Sequence, residues 1–374
     1  KSLTNSEIAK KLYVRYISQG TLWKVDSIFQ LSMELYDTKK NKIKWSNNWQ
    51  QNWSELPRIK GGLAENILNN LQVTTKQDIT KSESDNAEAY ELYLKAKNIY
   101  EKRENTDSTE IARELLKKSI ELDDNLIVAK ELLGWTYFKT GDSDKAMKIY
   151  TPALKQAEEI GDKVGMGYCL NAIGAVYNKK DDYNTALDYF ERSFKIREEL
   201  GDKRGMGVCL SNIGNIHNEK GDDNTALDYF ERSFKITEEI DDKGMMGWNL
   251  HNIGSIYDNN GDYDNALDYF HRELKIQEEL DKVLKILPRI GWIYYVIGEY
   301  RKALDNYNRL LIIDEELDDK YSIQNDFANM GLVYFQQEVY NKAVEYFDKS
   351  ATMQMELDST ITLETLSHLF LSKK

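Results

Sequence analysis

The sequence predicts a mostly α-helical repeat protein with a small α/β piece at its N-terminus. Three segments align with one another at an offset of 40 residues: 165–200, 205–240 and 245–280. The block NTALDYFERSFKI at 184–196 recurs verbatim from Asn224. A repeat of this length is the signature of stacked supersecondary units. The first 72 residues lack the repeat and contain alternating β-branched and aromatic residues instead.

The N-terminal piece is predicted to be an antiparallel three-stranded meander followed by a helix. Residues 13–24, 27–36 and 43–49 alternate in the manner of strands and are separated by short polar turns. A helix is expected over 54–71, with Ser54 as its cap and Pro57 in its first turn. Residues 73–86 are polar and predict a linker to the repeats.

Each repeat has the spacing of two short amphipathic helices. A glycine is followed twelve residues later by an alanine and four residues further on by an aromatic residue. The alanine and the aromatic residue lie on one helical face, so the second helix is expected to pack closely against the glycine. The six sets are Gly134, Ala146, Tyr150; Gly174, Ala186, Phe190; Gly214, Ala226, Phe230; Gly254, Ala266, Phe270; Gly291, Ala303, Tyr307; and Gly331, Ala343, Phe347.

Turn residues mark the helix boundaries. Glycines five residues before the alanines predict left-handed C-caps of the first helices, at Gly141, Gly221, Gly261 and Gly298. Aspartates that follow them predict N-caps of the second helices, at Asp142, Asp222 and Asp262. Pro288, in a sixth repeat that is three residues shorter, predicts a shortened or kinked helix and a change of pitch near 281–290. Pro152 predicts a smaller disturbance of the same kind.

These residues resemble the tetratricopeptide repeat family in its 40-residue form. The resemblance implies a right-handed α-solenoid of about seven hairpins over 87–358, closed by a C-terminal capping helix over 359–374. The first repeat is degenerate, with Ala96 in the place of the glycine and Ala112, Leu116 and Ser119 on the second helix. The resemblance also implies a scaffold for protein–protein interaction whose concave face, built from the first helices, is the ligand groove.

The run from Ile8 to Gln50 is similar to the second half of the TolB-N-like (FlgO-like) domain, so residues 1–72 are expected to be a partial domain of that kind. In bacterial signalling proteins this domain follows an adenylate or guanylate cyclase, a protein kinase or a winged-helix DNA-binding domain. The chain starts at Lys1 without a methionine, and we expect it to be a fragment. A half-domain leaves an open sheet edge, which predicts homodimer formation through residues 13–49.

Composition narrows the class of partner. The net charge of −13 argues against nucleic acid and makes a basic or neutral polypeptide the easier ligand. The alternative is that acidity merely keeps a large scaffold in solution. No stretch approaches the roughly 18 apolar residues of a membrane helix. Cys169 and Cys209 occupy equal positions in successive repeats, which indicates small buried residues in a reducing, cytoplasmic compartment.

Motifs for catalysis are not found in the sequence. Phosphate-binding loops and the H-E-x-x-H motif are missing, and the four histidines have no Cys or His at metal-ligand spacing. His217 stands where neighbouring repeats have Tyr177 and Tyr257, which indicates a packing role. We therefore expect this chain to be no enzyme and to need no cofactor or metal, with any catalytic domain upstream.

The predicted groove residues are found by counting from each glycine to the positions three before, one after and four after it. Asparagine side chains offer donors and an acceptor for a peptide backbone, and the aromatic end offers apolar contacts. The candidates are Asn171, Asn178, Ser211, Asn215, Asn218, His251, Asp258, Trp292, Tyr295 and Phe335, together with Trp248. His251 is also a candidate pH-sensitive contact. The alternatives are a structural spacer or dimerisation module with an unoccupied groove, and a fragment of a kinase- or DNA-binding-domain-linked regulator.

Overall fold

The structure is a computed structural model that describes residues 16–25, 28–37, 40, 42–52, 86–102, 106–280 and 283–358. The predicted helix over 54–71, nearly all of the predicted linker and the capping segment over 359–374 lie outside these residues. Within the described residues the chain forms three strands and fourteen α-helices, which confirms a mainly helical solenoid fold with a small sheet.

The N-terminal sheet contains β1 (Tyr16–Val25), β2 (Ile28–Asp37) and β3 (Lys42–Asn52), in the order β1-β2-β3. Both pairs are antiparallel, with Val25 opposite Ile28 and Asp37 opposite Lys42. The register of the second pair shifts between Leu35 and Tyr36. The predicted meander is confirmed, with strands that differ from the predicted ranges by a few residues at their ends.

The helices fall into two compact units, residues 1–205 and 206–374. Each unit is built from antiparallel hairpins of one first helix and one second helix. The helices are α1 (Ala87–Glu101), α2 (Thr106–Leu122), α3 (Ile127–Lys139), α4 (Ser143–Ile160), α5 (Lys163–Lys179), α6 (Tyr183–Leu200), α7 (Lys203–Glu219), α8 (Asp223–Glu239), α9 (Lys243–Asn259), α10 (Tyr263–Glu279), α11 (Leu287–Val296), α12 (Tyr300–Glu316), α13 (Lys320–Gln336) and α14 (Tyr340–Asp358).

The glycine of each first helix lies directly against the aromatic ring of the second helix, as the spacing predicts. A Cβ atom added to Gly134 would lie 2.3 Å from the Tyr150 ring, and one added to Gly214 would lie 3.0 Å from Phe230. The other four glycines fall between these values. The alanines of all six sets are fully buried. The repeated motif is therefore the contact that closes each hairpin.

The turns follow the predicted chemistry. Gly141, Gly221, Gly261 and Gly298 have positive φ, and the side chains of Asp142, Asp222 and Asp262 cap the second helices. In two hairpins a residue other than glycine takes the left-handed conformation, Asp181 at φ 59° and Glu338 at φ 61°. Left-handed backbone costs about 1 kcal/mol in a residue with a Cβ, so these turns are less favourable than the glycine turns.

The two helix-associated prolines have different effects. Pro288 lies in the first turn of α11, which has ten residues and follows a 3₁₀ turn at Val283–Lys285, so the predicted shortening is confirmed. Helix α4 continues through Pro152, and the disturbance expected there is absent. Pro152 is exposed, so water can bond the carbonyl that loses its helical partner.

Candidate binding surface

The predicted groove positions define a surface that we call the first-helix face: the residues three before, one after and four after the glycine of each first helix. In the first unit α3 supplies Glu131, Trp135 and Phe138, and α5 supplies Asn171, Ala175 and Asn178. Helices α3 and α5 contact each other. All six side chains are half-buried, whereas the glycines between them are buried against the second helices. The first-helix face of this unit is therefore accessible and combines polar with aromatic side chains.

Aromatic rings and cations lie beside the amides of the first unit. The rings of Trp135 and Phe138 are 5.4 Å apart. The ammonium groups of Lys139 and Lys179 lie over them at 5.4 Å and 5.2 Å. These contacts give α3 an aromatic stripe with a cationic edge.

Asn178 carries an unsatisfied acceptor. Its Oδ1 atom is buried and has no hydrogen-bond partner among the described residues. A buried carbonyl oxygen that accepts no hydrogen bond costs free energy. The Asn178 side chain thus lies where the sequence predicts a peptide contact, and its oxygen accepts no hydrogen bond from the described residues.

Glu131 is a residue that the sequence reasoning missed. Burial of its carboxyl group raises the pKa of Glu131 to about 7, while Arg197 and Lys97 act in the opposite direction. No hydrogen bond or ion pair of this carboxylate occurs among the described residues. The sequence contained the information needed to find Glu131. It lies three residues before Gly134, just as the predicted groove residue Asn171 lies three residues before Gly174.

In the second unit the first-helix face changes from amides to aromatic rings. Asn215 is half-buried and Asn218 is exposed on α7, and Asp258 is half-buried on α9. Trp292 is 49% exposed, and Trp248, which lies six residues before Gly254 and so beside the counted positions, is 51% exposed. Trp292 lies 5.4 Å from Tyr295, ring to ring, and Phe335 lies 5.8 Å from Tyr340. Both tryptophan rings are therefore accessible to a partner that could bury them.

Ser211 corrects the predicted list. It is buried, and its hydroxyl donates to Oδ1 of Asn249 at 2.7 Å and lies 2.9 Å from the Ser233 hydroxyl. Asn249 donates to Ser233, which donates to the carbonyl of Gly207. These contacts join α7, α8 and α9 in a closed polar seam. Ser211 points into this seam and is unable to contact a ligand.

His251 is held by a buried acid. Its Nδ1 atom lies 3.1 Å from Oε2 of Glu273, whose side chain is buried on α10. Beside it, Arg289 donates to the Ser255 hydroxyl at 2.6 Å. The predicted role of His251 in a pH-sensitive contact stays a prediction, and its bond to Glu273 gives it a structural role as well.

His217 packs as predicted. Its ring stacks on Tyr229 at 5.6 Å between ring centroids, the distance at which Tyr177 stacks on Tyr189 and Tyr257 on Tyr269. The histidine therefore replaces a tyrosine in a repeated ring pair. Cys169 and Cys209 are likewise buried and form no disulfide, and burial raises the pKa of the Cys169 thiol.

Two carboxyl groups meet between α12 and α13. Asp314 and Asp326 are 3% and 1% exposed and hydrogen-bond to each other. Burial, followed by the charge of Asp314, raises the pKa of Asp326 to about 8. Burial also raises the pKa of Asp314. A hydrogen bond between two carboxyl groups requires a proton, so this pair holds one at neutral pH.

Metal clusters and membrane-spanning helices are both absent from the part of the chain that the structure describes. Among the described residues no group of three or more His, Cys, Asp or Glu side chains could hold a metal ion. None of the helices within the described ranges has the length and apolar character needed to cross a membrane.

Family comparisons agree with the repeat geometry. Models of the tetratricopeptide repeat match residues 129–159, 165–239 and 245–316. The chain therefore contains tetratricopeptide repeats, as the spacing of glycine, alanine and aromatic residues predicts. No curated protein matches the chain.

Solved structures share the fold at low sequence identity. A Signal Transduction ATPase with Numerous Domains (STAND) protein with a tetratricopeptide repeat sensor, from Pyrococcus horikoshii, is similar over 79% of this chain, with 16% identity and a TM-score of 0.61. This chain spans 46% of the length of that protein. The apo form of RapI is similar over 75% of this chain and 79% of its own, with 16% identity and a TM-score of 0.59. Both likenesses concern the fold alone.

Proposed function

We propose that the chain is a non-catalytic scaffold that binds an extended polypeptide on the first-helix face of its tetratricopeptide repeats. The observation that carries the proposal is the exposure of Trp248 on α9 and Trp292 on α11, each about half in solvent. Large aromatic side chains contribute most when a partner buries them, and they are enriched among the residues that dominate protein interfaces.

The amides supply a second kind of contact. The side chains of Asn178, Asn215 and Asn218 are not fully buried, and Oδ1 of Asn178 lacks a partner among the described residues. An asparagine can both donate to and accept from a peptide backbone, so it can hold an extended chain of varied sequence. Within the second unit, backbone bonds at Asn215 and Asn218 and side-chain contacts at the tryptophans together suit a polypeptide better than a small molecule.

The proposal includes a regulatory role in a longer bacterial signalling protein. Support comes from the STAND protein, whose tetratricopeptide repeats are described as a sensor and whose length is about twice the aligned part. The resemblance of residues 1–72 to a TolB-N-like domain favours a nucleotide cyclase as the upstream partner, and sequencing of the gene upstream of Lys1 tests this. Homodimer formation through the sheet is a separate prediction, since β1 and β3 pair only with β2 among the described residues. Light scattering tests it.

The proposed function is tested by selecting ligands without assuming their sequence. The chain is immobilised and screened against a phage-displayed library of random peptides of about twelve residues, a length that an extended chain can lay along several repeats. An enriched peptide is then synthesised with a fluorophore, and its affinity is measured by fluorescence anisotropy. We expect Trp292→Ala to weaken binding by about tenfold or more, the loss typical of a dominant interface residue.

The matched control is Trp23→Ala, which removes a tryptophan of similar exposure (57%) from strand β1. It is expected to leave the affinity unchanged. Circular dichroism confirms that both variants keep their helices. Equal loss in the two variants, or loss in Trp23→Ala alone, would place the peptide elsewhere, and failure to enrich any peptide would favour the spacer role.

A further inference from the structure

The first-helix face carries carboxylates at its counted positions and lysines at its edge. Its eighteen positions, three for each of the six glycines, include no lysine or arginine and two acids, Glu131 and Asp258. Interfaces place charge opposite complementary charge, both to favour the right partner and to exclude wrong ones. A ligand of this face therefore meets carboxylates at these positions, and the neighbouring cations are Lys139, Lys179 and Arg289.

Glu131 is the more constrained of the two acids. It lies on α3 near two cations, Lys97 of α1 and Arg197 of α6, which both favour its ionised form. Neither of them forms an ion pair with Glu131. Arg197 donates to Asp202 at 2.5 Å and to Ser193 at 3.3 Å, and Lys97 pairs with Glu101 at 3.9 Å. The remaining titratable groups that its charge reaches are Tyr150 of α4 and Cys169 of α5, both neutral.

A half-buried carboxylate without an ion-pair partner raises the free energy of the folded protein. An ionised group in such a place is stabilised by pairing or else takes up a proton. Trp135 lies one turn further along the same face of α3. The Lys139 ammonium already lies over the Trp135 ring at 5.4 Å, so a lysine or arginine side chain that reaches Glu131 would lay its methylene stem, and not its cation, against this ring. The carboxylate and the ring thus form a receptor for one basic side chain.

We propose that the first-helix face of the first unit binds a lysine or arginine side chain of its polypeptide ligand at Glu131, with Trp135 beside it. The inference rests on the proposed function and names the class of partner, a basic polypeptide. The net charge of −13 favours the same class by long-range attraction, which is weaker in specificity than the contact at Glu131.

A pH dependence follows from the geometry. Pairing with a cation requires ionised Glu131, and burial holds the pKa of this group at about 7 in the free protein. Binding of a basic side chain is therefore expected to strengthen as the pH rises from about 6 to about 8 and to release a proton at the lower end of this window. Lysine and arginine keep their charge throughout this range, so the ligand contributes no titration of its own.

The probe is a positional-scanning library of N-acetylated, C-amidated nonapeptides in which one position at a time is fixed as lysine, arginine, norleucine, citrulline or glutamate. Wild-type protein is expected to prefer lysine or arginine at one position by about tenfold over the neutral analogues norleucine and citrulline, the scale of one desolvated ion pair. Glu131→Gln is expected to abolish this preference and its pH dependence while leaving the fold intact.

The matched control is Glu191→Gln, which makes the same change in net charge at an exposed position of α6. It is expected to keep both the preference and its pH dependence. Persistence of the preference in Glu131→Gln, or equal loss in both variants, would overturn the assignment to Glu131. Binding of all libraries without a basic preference would overturn this inference and leave the proposed function standing. Binding of none of them would contradict both.

Discussion

Glu131 in the first unit and the pair Asp314–Asp326 in the second unit are carboxyl groups that the fold partly or fully removes from water. They differ in what compensates for burial. Asp314 and Asp326 bond to each other and share a proton, which avoids a second buried charge, although Oδ2 of Asp326 has no hydrogen-bond partner among the described residues. Glu131 faces an accessible surface and has no committed partner among the described residues. The sealed pair is a structural feature, whereas the open carboxylate is suited to a ligand.

The neutral seam of Ser211, Ser233 and Asn249 shows how the fold buries polar side chains that carry no charge. Glu131 and the Asp314–Asp326 pair can be compared with it. Its three buried side chains bond to one another without an ionisable group. The fold therefore tolerates buried polar atoms where each donor meets an acceptor. At Glu131 and at the Asp314–Asp326 pair, stability depends in addition on protonation or on a bound partner. Mutations can create or remove this dependence.

The largest effect is expected from Asn249→Asp, which places a carboxylate in the neutral seam. Ser233 already donates its proton to the carbonyl of Gly207, so the new oxygen would meet an acceptor instead of a donor. We expect a loss of stability of about 3 kcal/mol near neutral pH, reduced in acid when the group is protonated. Thermal unfolding followed by circular dichroism measures it.

Asn218→Asp is the control for that change, since it adds the same charge at an exposed position of α7. Its effect on the unfolding midpoint is expected to stay within about 0.5 kcal/mol. A midpoint for Asn249→Asp that equals this control would show that the seam is open to water.

The next effect is a gain of stability in Asp326→Asn. The folded-state pKa of Asp326, about 8, lies above its unfolded value of 3.8, so the folded state binds more protons. Stability of the wild type is therefore expected to fall as the pH rises from about 4 to about 8. Asparagine keeps the bond to Asp314 without needing a proton. The variant is expected to be more stable by about 2 kcal/mol near pH 9 and to gain little near pH 5.

Asp305→Asn, at an exposed position of α12, is the matched control and is expected to leave the pH dependence unchanged. Unfolding midpoints between pH 5 and about 9 distinguish the two variants. A lower midpoint for Asp326→Asn near pH 9 would mean that the pair is stabilising when ionised, contrary to the burial that surrounds it.

The smallest effect on stability is expected from Glu131→Gln. The direction is the same as for Asp326, because the pKa is raised from 4.5 to about 7 and stability is lost as the pH rises through this window. The size is expected to be about 1 kcal/mol or less, since the side chain is half-buried and Lys97 and Arg197 offset part of the cost. A gain as large as that of Asp326→Asn would place Glu131 in a sealed site and weaken its assignment to a ligand.

The fold was largely predictable because the deciding contacts lie within one repeat. Gly134 and Tyr150 are close in sequence, and the same pair recurs in five more hairpins, so one spacing rule describes all of them. The turns were predictable for the same reason, because the conformation of each turn depends on a few adjacent residues. Pro152 was harder to interpret, because its effect depends on whether its side of the helix faces water.

The site was less predictable because burial depends on neighbouring hairpins. Ser211 has a position equivalent to Asn171, yet Asn249 of the next hairpin draws it into a seam. Asp314 and Asp326 stand where earlier repeats carry Thr237 and Asn249, so a carboxylate at each of two buried positions was the available signal. The contact between the two carboxyl groups is seen only in the folded structure.

The central claim, that the first-helix face binds a polypeptide, is tested most directly by site-specific photo-cross-linking. The photoreactive residue p-benzoylphenylalanine is placed in turn at Ala175 and Asn218 on first helices, and at Arg192 and Arg232 on second helices. A biotinylated peptide selected on the wild-type chain is added and irradiated, and the adducts are detected on blots. The account predicts adducts at Ala175 or Asn218 and none at the arginine positions. Adducts confined to Arg192 or Arg232 would contradict it.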